Sequence, residues 1–430
     1  MRAAANSIAS GAVCLLALLA PSVASASPRP RAQRQPEAQI RTAATTLSVL
    51  APTPYMGWDT YFAFGDRYAE ATVLRQASEL LSLGLARDGY RYVWLDVGWW
   101  HGGREADGTI HVNGSQWPHG MAWLTRTLHA AGLLVGLYTD AGADGCGGAG
   151  QGSYGHYQQD VNTFVAWGFD AVKVDFCGGI EKHLNPAAAY SAFHAAIEGN
   201  SSHRRMLLSI CNFLQPGQFA EGQPTLDESA FGSYTFGPSV GNSWRTDTDV
   251  GAPHRVSFAD VLRNMDADAA QPQAAGPGHW NDPDYLGPDQ GLSQAQFRSQ
   301  LSMWAILAAP LMISDDLTRL SAASRTAVAN GEVIAIDQDP AGVQGTLISS
   351  AGAGEVWARP LADGSRALAL LNRGSSSLRI RTSTSAVGLP IAGRYLLRDL
   401  WRHAGRTTGG PISAYVRPQS TVLLRVSVAG

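Results

Sequence analysis

The chain of 430 residues is expected to fold as an α/β protein, a (β/α)8 barrel of the TIM type followed by a C-terminal antiparallel β-sandwich. Three observations predict this. From residue 55 to about residue 340 one unit recurs: a short apolar run ending in a polar or acidic residue, a loop, then an amphipathic helical pattern. Eight such units fit the roughly 250 residues that a (β/α)8 barrel needs. Toward their ends the runs carry Asp59, Asp96, Asp140, Asp175, Asn212, Asp249, Asp284 and Asp316. A barrel gathers the C-terminal ends of its strands at one mouth, whereas an open doubly wound sheet spreads them along a line. After Gly345 helical patterns give way to short alternating stretches separated by turn residues.

The elements follow in order. Arg2, the apolar run Ala12–Ala20 and the small-residue site Ala24-Ser25-Ala26 read as a signal peptide over 1–26, which implies export to the extracellular side. That run is too short for a membrane-spanning helix. Residues 27–50, rich in Pro, Arg, Gln and Thr, read as a flexible leader. The barrel is expected over 51–343, with strands at Tyr55–Phe62, Tyr90–Val97, Leu133–Asp140, Ala171–Phe176, Met206–Phe213, Asn242–Asp249, Gly278–Tyr285 and Pro310–Asp316. Helices are expected at 68–84, 119–131, 156–168, 186–198, 256–269, 292–308 and 321–330, and the fifth crossover is poorly marked. In the first helix Ala69, Val73, Leu74, Ala77, Leu80 and Leu81 share a face. The sandwich is expected over 344–430, with strands at Glu355–Arg359, Arg366–Asn372, Leu378–Thr382, Gly393–Asp399 and Ser420–Val426.

Composition narrows the function. Hydrophobic residues make up 45% and charged residues 16%, which excludes wholesale disorder. A net charge of -3 argues against a nucleic-acid partner. No later stretch suits a membrane span, so no membrane partner is expected after signal removal. Cys14 leaves with the signal; of Cys146, Cys177 and Cys211, the first two lie in Gly-rich segments just after apolar runs. In an oxidising compartment they form the expected disulfide, leaving Cys211 free.

Lys173 and Lys182 are the only lysines among 32 basic residues, so Lys173 stands out. In Lys173-Val174-Asp175, residues two apart on a strand point the same way. The ammonium is expected to keep the Asp175 pKa low, as a nucleophilic carboxylate requires. In Trp244-Arg245-Thr246-Asp247-Thr248-Asp249, an extended segment puts Arg245, Asp247 and Asp249 on one face. Two adjacent acids repel, so one should keep its proton longer, as a general acid must. An ionised and a protonated Asp across a cleft describe a retaining glycosidase. Trp58, Trp94, Trp99, Trp100, Trp244 and Trp280 fall near strand ends and could stack on sugar rings, although most should be core. Gly145-Cys146-Gly147-Gly148-Ala149-Gly150 satisfies G-x-G-x-x-G but opens no helix directly after a strand, so no nucleotide cofactor is expected. The eleven His residues show no metal-ligand spacing, and no metal is expected.

These segments resemble glycoside hydrolase family 27, the α-galactosidases and α-N-acetylgalactosaminidases. The resemblance rests on Met56-Gly57-Trp58, Tyr90-Arg91-Tyr92 leading to Leu95-Asp96, Gly136–Gly142, Lys173–Cys177, Asn242–Arg245, Trp280–Asp284 and Glu332–Pro340. It implies a (β/α)8 barrel with an antiparallel C-terminal domain and a carbohydrate substrate. It implies that Asp175 is the nucleophile and Asp249, not Asp247, the acid/base. It further implies that Asp96, Lys173 and Arg245 bind sugar hydroxyls, that Trp58 and Tyr138 line the pocket with Asp284 close by, and that Cys146 joins Cys177. Two departures bear on the sugar. Leu95-Asp96-Val97-Gly98-Trp99 keeps one acid where the family carries two, and Cys211-Asn212-Phe213 stands where many members carry C-E-W, placing Asn212 at the substrate site. Hydrolysis of terminal α-galactosides is expected. β-L-Arabinopyranosidase, α-N-acetylgalactosaminidase or isomaltodextranase activity, or a non-catalytic carbohydrate-binding barrel, are the alternatives. The sequence carries no signal for oligomeric state.

Overall fold

The computed structural model describes residues 49–212 and 232–429. The signal peptide, the leader to residue 48 and Phe213 lie outside the described residues. Eight parallel strands form one sheet: β1 (Met56–Asp59), β2 (Tyr92–Leu95), β3 (Leu134–Asp140), β4 (Ala171–Asp175), β5 (Leu207–Cys211), β6 (Ser243–Arg245), β7 (Trp280–Asp282) and β8 (Leu311–Ile313). The order is β8-β1-β2-β3-β4-β5-β6-β7, so chain order is spatial order. Closure comes from Leu286, just past β7. Its N–H donates to Met312 O and its carbonyl accepts from Ser314 N, both at 2.8 Å, and it bridges in parallel to Ile313. The sheet is therefore a (β/α)8 barrel, and its strand ends converge.

A helix follows each strand: α1 (Glu70–Ser82), α2 (Met121–Ala130), α3 (Tyr157–Trp167), α4 (Pro186–Glu198), α5 (Ser233–Val240), α6 (Phe258–Ala269), α7 (Gln294–Leu307) and α8 (Ala322–Val328). Their starts are written locally. Asn185 caps α4 with Pro186 in the first turn, Ser257 caps α6, and Ser293 with Gln296 forms a capping box on α7. α5 is poorly marked because Gly237 and Pro238 lie inside it. On α1 the buried residues are Glu70, Val73, Gln76, Ala77 and Leu80, while Leu81 is exposed, so the inward face is rotated from the expected one. Gln76 looks apolar-averse in sequence, yet its amide donates to Asp316 and accepts from Leu317 N, tying α1 to the end of β8. No helix among the described residues is long and apolar enough to cross a membrane.

The sandwich has more strands than the five expected. A six-stranded antiparallel sheet runs β9 (Thr346–Ala351), β10 (Gly354–Pro360), β11 (Arg366–Asn372), β16 (Ser420–Val428), β13 (Tyr395–Asp399) and β14 (Ala404–Thr408). β12 (Leu378–Ser383) pairs with β15 (Pro411–Val416). The three additional strands are β9, β14 and β15; almost every side chain on β9 and β14 is exposed, and β15 buries no regular alternation, so the pattern that marks a half-buried strand is absent. Trp357, Ala367, Ala369, Leu371 and Leu423 join the barrel core, whereas Val356, Leu368, Leu370 and Leu424 fill the sandwich, so β10, β11 and β16 feed both.

Candidate active site

Four charged side chains from two strand ends and one loop line a single cavity of about 220 Å³: Asp96, Lys173, Asp175 and Asp249. Tyr61, Val97, Thr248, Cys211 and the Cys146–Cys177 disulfide complete its wall. Lys173 and Asp175, two apart on β4, do point the same way. The ammonium lies 2.7 Å from Asp96 Oδ2 and 3.4 Å from Asp175 Oδ1, so it pairs more closely with Asp96. Tyr285 donates its hydroxyl to Asp96 Oδ2 at 2.8 Å, and Val97 N donates to Asp96 Oδ1 at 2.6 Å. Burial alone would raise the Asp96 carboxyl, but the ammonium and these donors hold it below its ordinary value.

Asp175 departs from the expectation that Lys173 keeps its pKa low. Burial dominates the nearby ammonium, the Asp96 carboxylate adds repulsion, and the Asp175 carboxyl is pushed up to about 6. The sequence shows the cation beside the acid but not the depth of burial or the second anion that shares the cation. The Cys211 thiol is free, buried and hydrogen-bonded to Asp175.

The loop carrying Asp249 is not an extended strand. β6 ends at Arg245 and the chain bends through Thr246, Asp247 and Thr248, so the alternation that would align three side chains is broken. Arg245 Nη2 meets Asp249 Oδ1 at 2.8 Å, and Arg263 Nη2 donates to the Asp249 carbonyl at 2.8 Å. Asp247 turns instead toward Arg263, 3.5 Å away, and accepts from Thr248 N, and it does not line the cavity. The Asp249 side chain is 38% exposed against 8% for Asp175, so Asp249 is the carboxyl that meets solvent.

Arg245 is buried and bridges two acids. Its Nη1 lies 2.9 Å from Asp284 Oδ1. Asp284 adopts φ +91°, a left-handed backbone that costs a non-glycine residue about 1–3 kcal/mol. Asp282 Oδ1 holds its N–H, Trp304 Nε1 its carbonyl at 2.7 Å, and Val250 N its Oδ2 at 2.7 Å. Burial raises the Asp284 carboxyl to about 7 despite Arg245. Asp284 thus supports the arginine from beneath the cavity rather than lining it.

Two family models match this chain: that of alpha galactosidase A over residues 66–339, and that of the alpha galactosidase C-terminal beta sandwich domain over residues 351–426. The chain belongs to the α-galactosidase family, glycoside hydrolase family 27. It is a glycoside hydrolase. It is 34% identical to an α-galactosidase of Oryza sativa subsp. japonica over 370 residues, 86% of this chain and 83% of that one. It is likewise 34% identical to α-galactosidase A of Cellvibrio japonicus over 371 residues, 85% of each. Among solved structures, α-galactosidase I from Mortierella vinacea superposes with a TM-score of 0.79 at 28% identity, covering 88% of this chain and 98% of that one.

Of the substrate-site residues that the family resemblance suggests, Asp96 and Lys173 meet Asp175 and Asp249 in the cavity; five do not line it, Arg245 among them, which reaches it only through its pairing with Asp249. Trp58 is wholly buried, with Nε1 donating to Asp315 O at 2.8 Å. Tyr138 stands behind the wall, its ring 5.5 Å from Lys173 Nζ and its hydroxyl accepting from Cys146 N. Asn212 is buried, and its carbonyl accepts from Ser233 Oγ. Asp284 lies beneath Arg245, as above. All six candidate tryptophans are at most 3% exposed, so none offers a sugar platform. The sequence reading missed Tyr61 and Tyr285, although each stands beside or just past a strand-end acid, where a barrel places its mouth.

The glycine-rich segment has a structural purpose. A Cβ on Gly142 would lie 1.9 Å from Gly178 C, and one on Gly178 would lie 1.9 Å from Asp144 O. The loop after β3 therefore packs directly on the turn after β4, where Cys146 bonds Cys177 with Cα atoms 5.2 Å apart. Helix α3 begins well beyond it, at Tyr157, so these glycines do not open a helix directly after β3. Asp140 with the two cysteines is the cluster of metal-ligating types among the described residues, but both sulfurs are committed to the disulfide.

Proposed function

We propose that the protein is an exported, retaining exo-glycosidase that removes terminal α-galactosyl residues. The observation that carries this reading is that Asp175 and Asp249 line one small cavity with the Asp96–Lys173 pair. Asp175, anionic above about pH 6, attacks the anomeric carbon while Asp249 protonates the departing glycosidic oxygen. A covalent glycosyl ester results. Asp249, now anionic and reached by solvent, takes a proton from water as it attacks, and Asp175 leaves. Asp96 and Lys173 present an acceptor and a donor to ring hydroxyls. A hollow of this size suits one terminal sugar rather than the middle of a chain. The named activity of the curated relatives supports the galactoside, and the disulfide at the cavity wall suits an oxidising compartment outside the cell.

A second sugar is favoured by Val97. Its side chain lines the cavity beside Asp96, where an apolar group accepts no hydrogen bond from an exocyclic hydroxymethyl. A β-L-arabinopyranoside has the same ring hydroxyl arrangement without that group, and a β-L-arabinopyranosidase from Geobacillus stearothermophilus shares the fold at 19% identity with a TM-score of 0.75. Initial rates on nitrophenyl α-galactoside, α-N-acetylgalactosaminide and β-L-arabinopyranoside decide between the sugars. Asp175→Asn should abolish turnover on all of them while the circular dichroism stays native, even with an activated leaving group. Retained turnover in that variant removes the nucleophile assignment. Anomeric configuration of the first-formed product, followed by NMR, tests retention.

A further inference from the structure

A second hollow lies apart from the catalytic one. A groove of about 530 Å³ lies between the first turns of α7 and the sandwich, and shares no residue with the catalytic cavity. Tyr415 on β15 is 70% exposed on its wall, and Trp401, in the turn between β13 and β14, lines its floor. Both rings are held in place. The Arg298 guanidinium sits 5.2 Å from the Trp401 ring, Trp401 Nε1 donates to Ser302 Oγ at 2.9 Å, and Arg379 sits 5.0 Å from the Tyr415 ring. Rigid aromatic faces bind sugar rings at little entropic cost.

The charge of the groove is one-sided. Arg298, Arg402 and Arg417 face Asp399 alone, and an adjoining hollow of about 390 Å³ that shares Tyr415 adds Arg406. Asp399 is occupied, since its Oδ1 accepts from Trp401 N and Arg402 N. Arg402 approaches its Oδ2 only at 3.8 Å and is 75% exposed. Arg298 Nε and Thr421 Oγ1 are buried in the groove wall with no hydrogen-bond partner among the described residues. Unpaired donors under an aromatic rim are set for an acceptor brought by a ligand. Neutral sugars are gripped mainly through acceptors and amides, whereas planar guanidinium groups match carboxylates two bonds at a time.

We infer that this groove is an accessory site for a carboxylated glycan, a chain of uronate-bearing sugars, which would hold the enzyme on an acidic polysaccharide while the catalytic cavity works on neutral termini. The test is affinity electrophoresis of the full-length protein in gels containing polygalacturonate or a neutral β-glucan, with gel filtration and nitrophenyl galactoside turnover measured alongside. Polygalacturonate should retard the protein, with retardation weakening as salt rises. Tyr415→Ala and Arg417→Gln should each weaken retardation at least fivefold while turnover is unchanged. Equal retardation by the neutral polymer, no loss in either variant, or a self-association that Tyr415→Ala abolishes would each overturn the inference. Because turnover is read separately, failure here is distinct from failure of the glycosidase assignment.

Discussion

Replacing Lys173 by Met tests the electrostatic reading of the cavity most directly. The ammonium stands 3.4 Å from Asp175 Oδ1 and 2.7 Å from Asp96 Oδ2, and its side chain is only 9% exposed. At an effective dielectric of about 20, a unit charge at 3.4 Å is worth about 5 kcal/mol to Asp175, or roughly 3.5 pKa units. The full value is not expected, because Asp96 loses the same partner and takes part of the proton. A rise of about 2 units is the working figure. Asp175 starts at about 6, so the acid limb of kcat/KM should move to near 8, and the ionised fraction at pH 7 should drop about tenfold. The assay is kcat/KM on nitrophenyl α-galactoside from pH 4 to 9, with thermal unfolding at each pH to confirm a folded variant. Loss of a sugar contact lowers the curve equally at every pH, so the position of the limb isolates the charge effect. Adding Asp96→Asn removes the repelling anion and should bring the limb back toward 6. A Lys173→Met variant whose limb stays near 6 would refute the claim that the ammonium sets the nucleophile's charge.

Asp249→Asn should cost about 10²–10⁴-fold in kcat on substrates with poor leaving groups and far less on dinitrophenyl glycosides, which depart without a proton; an equal loss on both excludes an acid role. Azide should restore turnover in the same variant, and its glycosyl azide should retain configuration. Asp337 is buried and its carboxyl is pushed up to about 8, chiefly by desolvation. A raised folded pKa means that its contribution to stability is complete below the ordinary value and is lost as pH rises through about 8. Asp337→Asn should therefore lose about 4 kcal/mol less than the parent between pH 5 and pH 9 in chemical denaturation, and parallel curves would contradict this. Replacing Cys146 and Cys177 by Ser opens a link across 31 residues and should cost roughly 3 kcal/mol. Because both sulfurs line the cavity, KM should rise in this variant even at temperatures where it is fully folded.

The sequence by itself determined the architecture, because a barrel is built from local signals repeated eight times. Apolar runs, capping residues such as Asn185 and Ser293, and an acid after each run are all readable within a few residues. It also brought out Lys173 with Asp175, since strand alternation fixes their common direction before any fold is known. It could not tell that Lys173 belongs first to Asp96, a residue 77 positions away that only barrel closure brings within 2.7 Å. Nor could it see that the chain bends after Arg245, which turns Asp247 away and leaves Asp249 in the cavity. The tryptophans show the same division. Their position at strand ends was legible, but whether a ring faces the mouth or the helices depends on what packs on it, and Trp58 and Trp244 are wholly enclosed. The groove beside Tyr415 was invisible for a like reason: its aromatic rings, arginines and unpaired donors come from α7 and three separate stretches of the sandwich. Local pattern settles which element forms, because it depends on neighbours in the chain. Charge state and exposure depend on neighbours in space, and those exist only once the chain has closed.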